Sequence, residues 1–552
     1  MKKFILLISF CSLAMAASAA DWRFAVDNLL ERGYENFARV DVTRQQYSRA
    51  EVETVAAGVT DWQALYDYLK SRSLRRKNFF QPGSRLINHL TGRPLGGAGE
   101  EMLLLNQVVG SDGVERPWVV YLPGSAALAR PRALLVALHG GVSRQSIYEN
   151  PVEVVRESPR LALARSQGWV LLFPFGQEGA TWWDDVGMTN VRQLIRNVKH
   201  HVCIDDDRVY LAGFSDGASA GFLNAMLQPD DFAAVVALNG HMGAGSLDAD
   251  LPLYAPNLAM TPVYAVTTAD DDLFPTRRMA PAFEMATRAG ARLEWRRLPG
   301  THAFDYHASE MPLIARFLRQ NRRNPSPDHI FWETGDRAYG TCRWLAITDL
   351  GPTGLADWHV EHNCIMTSEV ITWGFSGIRA NDGIKVSRVD RHGYAEAIGM
   401  RIGDVLRRAG GREITDSFSL QAAKEEARCG EPFEFVVKRD GRSVRLPGIL
   451  PQPEMYYLFA RQVPSAAVRA IRADNSFKIE TSGVTRLQLR LLNDSVDFSR
   501  PVEVIINGRP GFCGLIKPDP AIMLSEYAGN RDRKLLPVAV LSLTVGDKRL
   551  RP

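Results

Sequence analysis

Gly213-Phe214-Ser215-Asp216-Gly217 constrains this chain more than any other stretch. It reads Gly-x-Ser-x-Gly and directly follows Arg208-Val209-Tyr210-Leu211-Ala212, while Ala218 to Met226 behind it is small and helix-compatible. Strand, sharp turn and helix form the context that lifts a serine above a sheet as a nucleophile. Glycine is needed on both sides because the turn is strained and a Cβ would clash. The same turn aims the backbone N–H of Asp216 at a developing oxyanion. Five residues alone also fit a plain glycine-rich turn, so the neighbouring segments decide.

Upstream, Ala133 to Leu138 is continuously apolar, as in a strand buried on both faces. It ends in His139-Gly140-Gly141, a loop of the kind that supplies a second oxyanion N–H, at Gly141 or Val142. Trp118 to Pro123 and Gly168 to Pro174 read as further strands, and Val191 to His201 as a helix on the sheet. Alternating strands and helices predict a parallel α/β sheet. Downstream, Pro262 to Val266 is a late strand, and Asp270, Asp271 and Asp272 compete at its mouth to orient a histidine. Leu293 to Leu298 is a last strand, and His302 on the loop after it is the expected general base, with His307 as its rival. Serine, aspartate, histidine is the α/β-hydrolase chain order.

These motifs together make the segment from about Arg116 to Arg322 resemble the α/β-hydrolase superfamily, doubly wound around a mostly parallel sheet. It is most similar to secreted esterases related to polyhydroxybutyrate depolymerases and feruloyl esterases, with kinship to prolyl-oligopeptidase catalytic domains. The carrying residues are His139-Gly140-Gly141, Asp207 to Gly217, Asp271 to Pro275 and Gly300 to His302. The resemblance favours Asp271 over Asp270, because a proline four residues after the acid is usual in the family. It implies Ser215 as nucleophile, His302 as base and Asp271 as its orienting acid, with no metal or organic cofactor. Trp182-Trp183 either line an acyl or aromatic pocket or pack the core.

At 552 residues the chain should hold several domains. A net charge of +4 and no long Lys/Arg run give no ground to expect a nucleic-acid partner. Arg75-Arg76, Arg322-Arg323 and Arg407-Arg408 read as solvated faces. Met1-Lys2-Lys3, the apolar run Phe4 to Leu13 and Ala17 to Ala20 read as a signal peptide, so a periplasmic or secreted protein without a membrane span is expected. Cys11 falls in that leader. Five cysteines remain, which is no disulfide framework, and Cys342 with Cys364 is the favoured pair. No Cys/His cluster has metal spacing, and His200-His201 suits a helix end.

The expected organisation is a signal peptide at 1–19, a helical region at 20–105 and the hydrolase at 106–323. A β-rich segment comes next at 324–372, entered through Asn324-Pro325-Ser326-Pro327. Thr60-Asp61 caps a helix from Trp62, and the 20–105 region is expected to pack on the hydrolase rather than serve as a lid. From Trp373 to about residue 450 the chain resembles a bacterial-type PDZ domain, carried by Gly374-Phe375-Ser376-Gly377, Gly383 to Val389 and Ala395 to Leu406, with Gly403-Asp404-Val405-Leu406 the most specific piece. The resemblance implies that Gly374, Phe375, Ser376 and Gly377 receive a peptide C-terminus, with β-augmentation beside them. His392-Gly393-Tyr394 departs from the usual Gly-Ser-Pro turn, and a spacer without peptide binding is the alternative. Residues 451–552 alternate as half-buried strands and are expected to form one β-sandwich with 324–372.

The sequence thus points to an exported serine hydrolase acting on a small or polymeric carboxylic ester. A serine peptidase whose PDZ presents chain termini is the first alternative, and an inactive PDZ-bearing scaffold the second.

Overall fold

Strands from both ends of the first 300 residues meet in one nine-stranded sheet. They are β1 (Arg39–Asp41), β2 (Met102–Val109), β3 (Glu115–Leu122), β4 (Arg132–Leu138), β5 (Val170–Pro174), β6 (Ile204–Phe214), β7 (Ala234–Leu238), β8 (Val263–Thr268) and β9 (Leu293–Leu298). Their spatial order is β1-β2-β3-β5-β4-β6-β7-β8-β9. β3 alone runs against the rest, pairing antiparallel with β2 and β5. The remaining pairs are parallel. β4 steps one way to β5 and the other way to β6, so the crevice at their carboxyl ends is the topological switch point where α/β sheets bind ligands.

The computed structural model describes residues 22–44, 47–72, 87–94, 100–124, 130–143, 149–351, 355–368, 371–461 and 463–546. The expected leader, Cys11 and Arg75-Arg76 lie outside these residues. Two units separate: Met1–Asn363 with Leu458–Pro552, and Cys364–Tyr457.

Continuous apolar runs explain the centre of the sheet. Ala133 to Leu138 and Val235 to Leu238 are at most 1 % exposed, with aliphatic side chains on both faces. β9 is charged and half-exposed, as suits an edge. Helix Asp216–Leu227 is buried all round, from Gly217 to Leu227. That matches its run of small and apolar residues, and its Asn224 bonds back to Ala220 O at 2.8 Å.

The sheet reaches further upstream than the expected boundary at 106, since β1 and β2 belong to it. The rest of the N-terminal region is helical: Trp22–Glu31, Arg49–Ala57 and Trp62–Ser71. Their buried faces share a core with Met523, Leu524, Tyr527 and Val538 from the C-terminal end. Asp61 caps the third helix by accepting the Ala64 N–H.

Two smaller sheets complete the first unit. His329–Thr334 joins Ala466–Ala473, Ser476–Ser482, Val502–Ile506 and Arg509–Gly514 in one. Thr341–Cys342, Leu345–Leu350, Val484–Leu492 and Pro537–Thr544 form the other, with Leu345 opposite Leu489. Trp332, Trp344, Leu487 and Phe477 lie in their common core. Helix Pro520–Asn530 interrupts these C-terminal strands, starting at the Asp519 cap with proline at its first position. The expected Cys342–Cys364 bridge is corrected too. Cys342 is a free thiol buried in the sheet core, and burial pushes its pKa far up.

The second unit has a sheet in the order Phe375–Ala380, Gly383–Val389, Val405–Ala409, Pro432–Arg439, Arg442–Ile449. Helices Tyr394–Ala397 and Ser417–Glu426 accompany it, around a core of Trp373, Ile384, Leu406 and Phe435. Ile365–Ser368 pairs with Glu454–Tyr457 where the chain enters and leaves.

Candidate active site

β6 ends at Phe214, and Ser215 turns the chain into helix Asp216–Leu227 with φ 56° and ψ −121°. A non-glycine residue with positive φ there costs about 1–3 kcal/mol, which the surrounding packing sustains. Its glycines are sterically required. A Cβ on Gly213 would lie 1.8 Å from Gly217 O, and one on Gly217 would lie 2.2 Å from Leu138 O.

Three loops at the carboxyl ends of the strands converge on this turn. His302 follows β9, past Gly300 with φ 116°. Its Nε2 is 2.9 Å from Ser215 Oγ, and its Nδ1 is 2.9 Å from Asp271 Oδ2. An acceptor at Nδ1 and a hydroxyl at Nε2 assign the proton to Nδ1, leaving Nε2 to accept from Ser215. The rings of Phe214 and Phe274 flank the imidazole at 5.2 and 5.8 Å between centroids.

Asp271 is the carboxylate brought to the histidine. Asp270 and Asp272 are exposed. Oδ1 of Asp271 accepts the N–H groups of Leu273 and Phe274 at 2.8 and 2.6 Å, and Oδ2 accepts Asn239 Nδ2 at 2.8 Å. Burial pushes this carboxyl up, but the bonds from His302, Asn239 and Phe274 outweigh it and hold the pKa below the usual range. His307 opens helix His307–Gln320, is exposed, and pairs with Phe304 O instead.

Asn239 is a residue that the motifs do not announce. It follows β7 with φ 52°, is fully buried, and also donates to Thr268 Oγ1 and accepts from the Tyr306 hydroxyl. An Asn-Gly pair ending an apolar strand was the available signal, since asparagine tolerates the left-handed region.

The His139-Gly140-Gly141 loop faces Ser215 directly, and a Cβ on Gly140 would lie 2.6 Å from Ser215 Cβ. His139 is structural: its Nε2 accepts Gly176 N–H at 3.0 Å, and its carbonyl accepts Trp182 Nε1–H at 2.8 Å. Trp182 and Trp183 are both buried, and Trp182 packs edge-on to His139. Of the two expected donors on this loop, Val142 is corrected. Its N–H is committed to Asp216 Oδ2 at 2.9 Å. The Asp216 N–H sits at a helix start, where backbone donors lack helical acceptors.

In the second unit, Gly374 has φ 72°. Phe375, Ser376 and Gly377, expected in a receiving loop, instead begin the strand Phe375–Ala380 and pair with Gly383–Val389. That strand ends the sheet order, and Ile378 on it and Phe418 on helix Ser417–Glu426 are exposed. Among the described residues, no group of three or more His, Cys, Asp or Glu could hold a metal ion, and no helix is long and apolar enough to cross a membrane.

A protein-family model described as Phospholipase/Carboxylesterase matches residues 131–322. Over 173 residues the chain is 30 % identical to the bifunctional acetylxylan esterase/xylanase XynS20E of Neocallimastix patriciarum, covering 31 % of this chain and 23 % of that protein. Over 144 residues it is 27 % identical to poly(3-hydroxyalkanoate) depolymerase C of Paucimonas lemoignei, covering 23 % of this chain and 33 % of that protein. The chain therefore spans 23 % and 33 % of the length of these two curated relatives. Similar solved structures include a ferulic acid esterase (TM-score 0.34, 15 % identity, 41 % of this chain and 99 % of that one). Another is the serine hydrolase FphF of Staphylococcus aureus (TM-score 0.33, 16 % identity, 41 % of this chain and 98 % of that one). The family match and the sheet order support an α/β-hydrolase of esterase type over this segment.

Proposed function

We propose that the protein hydrolyses carboxylic esters through an acyl-enzyme on Ser215. Ser215 Oγ attacks the acyl carbonyl while His302 Nε2 takes the hydroxyl proton. The N–H groups of Asp216 and Gly141 receive the negative charge that develops on the carbonyl oxygen, each worth about 3–4 kcal/mol. His302 then gives its proton to the leaving alcohol, breaking the ester bond. Water enters, loses a proton to His302 and attacks the acyl carbon, and the acid and free Ser215 return. Asp271 holds His302 in the right tautomer and stabilises its imidazolium.

The observation that carries this reading is the pair of 2.9 Å contacts joining Ser215, His302 and Asp271 at a strained strand-to-helix turn. The names of the two relatives make carbohydrate esters and polyesters the first substrate classes to test. Fluorophosphonate labelling with p-nitrophenyl acetate and butyrate turnover is the test. Both should vanish in Ser215→Ala, and a folded wild type that takes no label sinks the reading.

A serine peptidase using the same three residues is the second reading. It is favoured by the edge of Phe375–Ala380, unpaired among the described residues and carrying exposed Ile378, a surface suited to strand addition by a peptide. Labelling without ester turnover, together with cleavage of peptide substrates, would select it.

A further inference from the structure

We propose that the Asp216 side chain is a positioning group that sets the second half of the oxyanion hole by holding the loop that carries Gly141. The proposal deepens the ester-hydrolase reading and rests on it.

Asp216 offers two groups with different tasks. Its N–H opens helix Asp216–Leu227 beside Ser215. Its carboxylate turns back and accepts the Val142 N–H at 2.9 Å from Oδ2. The donors of an oxyanion hole must lie about 3 Å from where the charged oxygen forms. A misplacement near 1 Å costs on the order of 100-fold in rate. The loop from His139 to Val142 therefore needs a fixed distance to the serine turn.

On the β4 side that distance is secured. His139 is held by Gly176 N–H and Trp182 Nε1–H, and Gly140 packs directly against Ser215. Gly141 then adopts φ 72°, a region that glycine enters and leaves freely, so the β4 anchors alone do not fix the chain beyond it. The next residue is the one tied to Asp216, and the Val142 side chain is fully buried. A single residue thus provides one oxyanion donor from its backbone and anchors the neighbour of the other with its side chain.

A carboxylate beside a developing oxyanion opposes the reaction by like-charge repulsion. Any residue would supply the backbone N–H, so an acid at this position must offset that repulsion through another contact. A charge-assisted bond to Val142 N–H meets that requirement.

The test compares Asp216→Ala and Asp216→Asn in the full chain. In Asp216→Ala, kcat on p-nitrophenyl butyrate should fall ~10- to ~100-fold with KM within about two-fold, because the lost contact acts only through the transition state. Asp216→Asn keeps an acceptor oxygen and should return kcat to within about three-fold of wild type. An unchanged kcat in Asp216→Ala, or an asparagine variant as impaired as the alanine, overturns the proposal. Amide hydrogen exchange of residues 139–143 reads the anchor without turnover. Faster exchange in the alanine variant and near-native exchange in the asparagine variant support it, and equal exchange in all three proteins overturns it. A wild type that neither labels nor turns over ester defeats the hydrolase reading, while the exchange experiment still decides the anchor.

Discussion

The proposed mechanism needs Asp271 ionised, although it is 3 % exposed. Two backbone N–H groups, an amide and an imidazole supply the bonds that replace water. Asp271→Asn would let the histidine turn its unprotonated nitrogen to the amide and leave Nε2 unable to take the serine proton. Steady-state kinetics should show kcat lower by on the order of 10⁴-fold with the fold intact. Since the Asp271 pKa is depressed in the fold, its contribution to stability is present above the ordinary carboxylate range and lost as pH falls below about 4. His241 acts in the same direction at milder pH. Burial first, and then the Arg278 charge, lower its pKa to about 4 from 6.5, and it accepts the Gly243 N–H at Nδ1. The unfolded chain binds the extra proton between those values, so stability should decline by about 3 kcal/mol as pH falls from about 6.5 to about 4. Denaturant midpoints across that range should show the slope in wild type and a flatter one in His241→Asn.

The strand-to-helix turn is where element geometry, not side-chain chemistry, makes the site. Gly217 brings the start of helix Asp216–Leu227 against the end of β4, and no side chain fits between. Gly217→Ala should cost about 3 kcal/mol or more by overpacking and abolish fluorophosphonate labelling, checked by chemical denaturation beside the labelling assay. Ser215 and the Asp270–Asp272 group stood out in the sequence because each follows an apolar strand, and His302 because it sits on the loop after the last strand, even though that strand is charged. Asn239 also ends a strand, but an amide has no single role, and its task exists only once β7 and β8 lie side by side. That the Val142 N–H is already engaged depends on the direction of the Asp216 carboxylate, a tertiary fact. β1 is three residues long, too short to carry an alternation, so its place in the sheet was invisible. The Asp519-Pro520 start of the last helix was legible in principle, and the alternating strands before it masked the change of period.

At the scale of the first unit, the hydrolase sheet and the C-terminal strands are joined by buried charge. Lys199, Arg323 and Arg533 interleave with Asp206, Asp207 and Asp532, all below 9 % exposed, so three cations face three anions. Arg323, expected with Arg322 on a solvated face, is instead buried between Asp207, at the base of β6, and Asp532, just past helix Pro520–Asn530. Burial would raise the Asp532 carboxyl, but Arg323 and Lys199 outweigh it and keep it ionised. Arg531 beside it is enclosed by Tyr34, Tyr47 and Tyr527, with ring distances of 4.4, 6.0 and 5.6 Å, and bonds Leu30 O. The N-terminal helices, the hydrolase and the C-terminal strands therefore share anchors within a few residues of chain. Such a set adds little net stability while complete, since desolvation offsets attraction, but it fails sharply when one partner goes. Asp532→Ala should cost about 3–5 kcal/mol by denaturant unfolding, because two buried cations lose their common partner. Ester turnover and the calorimetric transition should shift together, since the same charges hold both layers. A hydrolase transition left in place while the C-terminal strands melt separately would show that the two layers fold independently and that the charge network is not what couples them.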